Sequence, residues 1–193
     1  MAAKIGDEVP AALASAEVLD ARGTATTLGE RWREGPVVLV FLRHFACLAC
    51  TEHVTLLAPR LHELRRLGLR VVYVGNGAPH FMDAFVERTA IDLEAVDLVT
   101  DPSLAAHETL SLVHSTASAY GPRALWGLAR ALAGGFRQSR IEGDNLQQGG
   151  VVVIDRHGCI AYLHRDRATG DHAPTNDVVD AAMRVAAADH TVV

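Results

Sequence analysis

The stretch Gly35-Pro36-Val37-Val-Leu-Val-Phe-Leu42, followed by Arg43-His44-Phe45-Ala46-Cys47-Leu48-Ala49-Cys50, decides how the rest of the chain is read. Residues 37–42 are an unbroken apolar run behind a Gly-Pro breaker, the pattern of a strand covered on both faces. Beyond the cysteines, Val54, Leu57, Leu61 and Leu64 recur at helical spacing. Gly68 is placed to cap that helix, and Pro59 to kink it. Leu69–Val74 is a second β run, ended by Gly75-Asn76-Gly77, and Pro79 begins a helix with Phe81, Phe85 and Val86. A βαβα order predicts parallel strands joined by right-handed crossovers.

Working outward, 96–100 reads as a short strand closed by Asp101-Pro102, with a helix from Leu104 to about Leu112. Pro122–Phe136 reads as an amphipathic helix, with Leu125, Leu128, Leu132 and Phe136 on one side and Arg123, Arg130 and Arg137 on another. The period then changes to that of strands. Val151–Asp155 and Cys159–His164, joined by a turn containing Gly158, form a hairpin signature. A last helix runs from Asn176 to about Ala188, and 18–20 with 26–28 forms a small hairpin near the start. The sum is an α/β chain with a central mixed sheet flanked by helices and a helical insertion before the C-terminal hairpin.

Composition bounds the functions. The chain has 193 residues, 49% hydrophobic and 21% charged, enough for one domain spanning 1–193 with a substantial core. A net charge of -5 supplies no basic field for nucleic acid. No apolar stretch approaches the ~20 residues of a membrane span, so stable membrane insertion is not expected. Cys47, Cys50 and Cys159 are too few for a secreted disulfide framework, and no signal-peptide apolar run is seen, so a reducing, cytoplasmic location is expected. Eighteen basic residues include one lysine, Lys4, a bias attributed to genome composition.

The Cys-x-x-Cys pair follows a buried strand and opens a helix, where ligands of open α/β sheets bind. Unpaired amides and the helix dipole favour a thiolate at the first sulfur. Cys47 is therefore the candidate nucleophile, and Cys50, one turn on, the resolving thiol within disulfide reach. Three alternatives stand beside this: two small residues packed in a core, a disulfide-exchange site, and a metal site. His44, Cys47, Cys50 and His53 fall at intervals of three, but one helix spreads them over half its circumference, which strains tetrahedral ligation. No metal and no organic cofactor is assigned. Cys159 is expected to be packed. The Trp126 helix is expected to pack on the sheet or on a second subunit, leaving a homodimer open, with cover for an apolar substrate or contact with a membrane surface as the alternative.

Taken together, Ile5-Gly-Asp-Glu-Val-Pro10, the 37–50 stretch, Gln148-Gly-Gly-Val-Val-Val-Ile-Asp155, His164-Arg-Asp-Arg167 and Gly170-Asp-His-Ala-Pro174 resemble the peroxiredoxin-like branch of the alkyl hydroperoxide reductase and thiol-specific antioxidant (AhpC/TSA) superfamily. The resemblance covers almost the whole chain. It implies a thioredoxin-like fold with a peroxiredoxin-type N-terminal extension. It also implies thiol-dependent reduction of a hydroperoxide, with Cys47 oxidised to a sulfenic acid that condenses with Cys50, and a thioredoxin-like or small-thiol reductant. The chain departs from the pattern: Val40 and His44 stand where ordinary peroxiredoxins carry Pro and Thr, and Ala46, Leu48 and Thr51 replace Gly, Pro and Arg of the branch. Arg43 is the candidate activator of the thiolate and peroxide, against a strand-end arginine in solvent. His44 is a candidate hydrogen-bond donor or proton shuttle in place of the Thr, against a surface histidine. His172 either returns to the site or serves its loop. Gly149-Gly150 lies where thioredoxins carry a cis-proline facing the cysteines, so close backbone approach of substrate is weighed there against a steric need of the turn. A thioredoxin-type disulfide oxidoreductase and a metal-binding or redox-regulatory module are the other functions carried forward.

Overall fold

The computed structural model describes residues 2–137 and 143–190. In chain order the elements are α1 (Ala11–Ala14), β1 (Glu17–Leu19), β2 (Ala25–Thr27), β3 (Val37–Phe41), α2 (Leu48–Leu57), α3 (Leu61–Arg66), β4 (Arg70–Gly75), α4 (Phe81–Thr89), β5 (Asp97–Thr100), α5 (Ala105–Thr109), α6 (Thr116–Tyr120), α7 (Pro122–Ala133), β6 (Gly150–Ile154), β7 (Ile160–Arg165) and α8 (Thr175–His190). Seven strands make one sheet in the order β2-β1-β5-β4-β3-β6-β7. The β3–β4 and β4–β5 pairs are parallel, and β3–β6, β6–β7, β1–β2 and β1–β5 antiparallel.

Strand β3 is central because all five of its residues are buried. Side chains alternate across a strand. Val38 and Val40 therefore join a core with α2, α3, α4 and α8, while Val37, Leu39 and Phe41 join a second core with α1 and α5. Strand β6 repeats the division, Val151 and Val153 on one face and Val152 and Ile154 on the other. Each such side chain contributes about 1.5–3 kcal/mol by leaving water.

Helix ends follow backbone chemistry. Pro59 lies in a 3₁₀ turn, Ala58–Arg60, that separates α2 from α3. Helix α3 closes in a Schellman arrangement: Leu69 N–H donates to the Leu64 carbonyl at 3.1 Å, Gly68 N–H donates to Arg65, and Gly68 takes φ +82°. Helix α7 ends the same way at Gly134-Gly135, with Phe136 N–H donating to Ala131 at 3.1 Å, so it stops at Ala133 short of Phe136. Helix α6 was not expected; Ser115 caps it through the Ser118 N–H.

The face of α7 that meets the protein also differs from the expected leucine face. Ala124, Gly127 and Ala131 are buried, whereas Leu125, Leu132 and Trp126 are exposed. Close approach to loop 166–174 is the reason, since a Cβ on Gly127 would lie 2.2 Å from the Thr169 carbonyl oxygen. Small residues thus let α7 lie against the loop, leaving its leucine side open. Replacing Gly127→Ala should lower the stability of the fold by about 1–3 kcal/mol through overpacking, read as a lower urea midpoint at unchanged slope.

Candidate active site

The segment between β3 and α2 is fixed before any chemistry is considered. Phe45 has no exposed surface and packs on Phe85 with ring centroids 5.4 Å apart. Gly75 makes room for it, because a Cβ there would lie 2.3 Å from the Phe45 ring. The Arg88 guanidinium donates to the Phe45 carbonyl. Asn76 donates its side-chain N–H to the Arg43 carbonyl, and its Oδ1 accepts the Asp144 N–H at 2.8 Å. Sequence reasoning passed over Asn76, although its place between two glycines after a buried strand marks the same sheet edge as the cysteines.

Cys47 is the N-cap of α2, and its sulfur accepts the Cys50 N–H at 3.4 Å. The Arg43 Nη1 lies 3.6 Å from the same sulfur. Arg43 N–H donates to the Cys50 sulfur at 3.3 Å. Arg43 is buried rather than in solvent; its Nε donates to the Gln147 carbonyl at 3.2 Å and its Nη2 to the Asn145 carbonyl. A hydrogen bond from the Cys50 thiol holds the Cys47 thiol well below its ordinary range, against the effect of burial and with help from Arg43 and His44. Burial and the adjacent Cys47 push Cys50 the opposite way. The two sulfurs are thus driven apart, Cys47 toward the thiolate and Cys50 toward the protonated thiol. Both are free and Cys47 has no exposed surface.

His44 is buried too, with its Nδ1 unpartnered, and burial pushes its imidazole below its usual range. Beside it lies a cleft of about 300 Å³ lined by Arg43, His44, Leu48, Tyr120, Leu128 and Leu132. Three of these are leucines, so the opening next to the cysteines is mainly apolar.

The candidate metal ligands do not converge. Cys50 receives Arg43 N–H, and His53 stacks on His172 with centroids 4.6 Å apart and planes 13° apart. Among the described residues no group of three or more His, Cys, Asp or Glu side chains could hold a metal ion. His172 does return to α2, where it lies within 3.8 Å of Glu52. The Gly149-Gly150 pair serves the sheet, because Cβ atoms there would lie 2.3 Å from the Phe41 carbonyl and 2.6 Å from the His164 carbonyl. Cys159 is half-buried in the hairpin turn and bridges to Glu8. No helix among the described residues is long and apolar enough to cross a membrane.

Comparison with known proteins gives the family. The family model described as AhpC/TSA antioxidant enzyme matches residues 56–168, starting just beyond the cysteine pair. Peroxiredoxin-like 2C of Mus musculus is 32% identical over 187 residues, covering 90% of this chain and 80% of its own. Thioredoxin-like protein AAED1, chloroplastic, of Arabidopsis thaliana is 28% identical over 188 residues, covering 93% and 75%. The solved structure of Xanthomonas campestris peroxiredoxin Q matches with a TM-score of 0.67 at 18% identity, over 94% of this chain and 98% of that one, which bears on the fold. The buried strand, the helix-capping cysteine pair and these matches converge on one conclusion: the chain belongs to the AhpC/TSA antioxidant enzyme family, as a peroxiredoxin-like, thiol-dependent peroxide reductase of thioredoxin-like fold.

Proposed function

We propose that Cys47 attacks the peroxide, Cys50 resolves it, and Arg43 and His44 prepare the site, all within one domain spanning 1–193. The Cys47 thiolate takes the terminal peroxide oxygen and breaks the O–O bond, leaving a sulfenic acid and an alkoxide that picks up a proton. Cys50 then displaces water from the sulfenic acid to form the disulfide. A dithiol of thioredoxin type or a small thiol returns the pair to its reduced form. The observation that carries this reading is the convergence of the Arg43 guanidinium, the Cys50 N–H and the Cys50 thiol on one buried sulfur. Arg43 is pinned by two carbonyls, so its remaining N–H groups are aimed without further ordering, as electrostatic catalysis requires.

The organic part of the peroxide fits the cleft between Leu48, Leu128 and Leu132. Cys47 has no exposed surface, so a path to its sulfur must open before substrate arrives. A compartment that keeps thiols reduced suits this cycle, and we place it in the cytoplasm, although one relative bears "chloroplastic" in its name.

One equivalent of cumene hydroperoxide should convert the prereduced protein to the Cys47–Cys50 disulfide. Cys50→Ser should stop at a sulfenic acid on Cys47 and Cys47→Ser should not react, as read by mass spectrometry; oxidation no faster than that of a free thiol would remove the proposal. Arg43→Met should slow oxidation by about 10²-fold, the usual worth of one preorganised donor. It should also move the thiolate absorbance midpoint upward. Because the native Cys47 thiol lies below a free thiol, the wild-type rate should hold through neutral pH and fall on acidification as Cys47 gains its proton. Leu128→Asp should raise KM for cumene hydroperoxide and leave hydrogen peroxide oxidation nearly unchanged in stopped-flow assays.

A further inference from the structure

A second cluster of titratable groups packs against α2, the helix that Cys47 caps. Beyond β7, loop 166–174 folds back over α2 and places His172 between two carboxylates. The ring is buried, with Nδ1 3.7 Å from Asp166 Oδ2 and Nε2 3.8 Å from Glu52 Oε2. These are ion-pair distances, and neither ring nitrogen has a hydrogen-bond partner. His53 covers one face of the ring by stacking. Glu52 is also held by Arg130 from α7, through Nε at 3.1 Å and Nη2 at 2.9 Å. Asp166 is buried, with His164 Nε2 3.4 Å from its Oδ1. His164 in turn faces the Asp171 carbonyl at 3.1 Å, while the Asp171 carboxylate binds Arg167. A proton on His172 is therefore flanked by carboxylates and hidden from water.

We propose that His172, held by Asp166 and Glu52, is a positioning residue that keeps its proton while Cys47 is a thiolate and releases it when Cys47 is oxidised. This deepens the proposed role of Cys47 and rests on that reading. The proton balance gives the release a purpose. Conversion of Cys47 thiolate, Cys50 thiol and ROOH into a disulfide, ROH and water consumes one proton. An imidazolium that loses its neighbouring negative charge in the same step gives up one, so net uptake from solvent in the oxidation step falls below one, and the proton returns to His172 when the pair is reduced again. Glu52 stands five residues beyond Cys47, about 8 Å along a helix axis. At that range, in a site closed to water, charges still interact. Burial opposes the charge on His172, but Asp166, the Cys47 thiolate and Glu52 outweigh it and raise its affinity for a proton. His53 is pushed well down by burial and by His172 and His164, so of the stacked pair His172 is the ring that takes a proton more readily.

The coupling is reciprocal, so protonated His172 must hold Cys47 as thiolate to the same degree. The experiment is a carbon-13 histidine titration of the full chain, reduced and then oxidised at the Cys47–Cys50 pair with diamide, with the His172 signal assigned through His172→Asn. Its midpoint should fall by about one pH unit on oxidation. In Cys47→Ser, which places a neutral oxygen at the same position, the midpoint should already lie at the oxidised value, and His172→Gln assigns the signal if His172→Asn does not fold. In His172→Asn the Cys47 thiolate absorbance midpoint should rise by a similar amount. An identical His172 midpoint in the reduced, oxidised and Cys47→Ser proteins overturns the coupling. Diamide oxidation makes the disulfide whether or not peroxide does, so a failed peroxidase assay and a failed coupling are separate results.

Discussion

A buried cysteine drawn toward its ionised form is the constraint around which the active site is arranged. A thiolate moved from water into a protein interior is costly unless fixed donors replace its hydration. Within residues 43–50 Cys47 has three: the Cys50 N–H at the open end of α2, the Cys50 thiol and the Arg43 guanidinium. The guanidinium is itself a buried charge, and the Asn145 and Gln147 carbonyls meet its other N–H groups. The Asn76 side chain then ties the Arg43 carbonyl to the Asp144 backbone. Loop 143–148, the turn after β4 and the end of β3 are thus held in one hydrogen-bonded unit whose centre is a sulfur atom.

Local patterns made most of the fold legible. The 37–42 run identified the central strand because a strand buried on both faces needs no alternation. Pro59, Gly68 and the 155–159 turn act through their own backbone chemistry, so each could be placed without knowing the tertiary structure. What escaped depended on partners far away in sequence. Helix α6 has five residues, and nothing in so short a run distinguishes it from a turn. The periodicity of α7 pointed to a leucine face, yet the buried face is Ala124, Gly127 and Ala131, because loop 166–174 approaches too closely for larger side chains.

The site divides the same way. Strand–turn–helix placement was enough to nominate Cys47 and Cys50, and the proximity of Arg43 in sequence was enough to suggest its charge. Whether Arg43 and His44 faced solvent was not readable, since their burial is produced by residues about a hundred positions later and by α6 and α7. The regular spacing of His44, Cys47, Cys50 and His53 looked like a ligand set in one dimension. In three dimensions a continuous α2 sends Cys50 toward the Arg43 amide and His53 toward His172. Spacing along a helix fixes azimuth, and azimuth alone separates the two cases.

The enclosure of Cys47 has a further consequence, in the timing of its chemistry. A sulfenic acid formed there is surrounded by protein, and the sulfur of Cys50 is already its neighbour. Condensation within the pair needs no encounter, whereas a second oxidant must wait for a path to the sulfur to open again. Oxidation of a sulfenic acid to the sulfinic level is irreversible for most thiols. In the proposed cycle a closed pocket therefore slows the first collision and shields the intermediate that follows it.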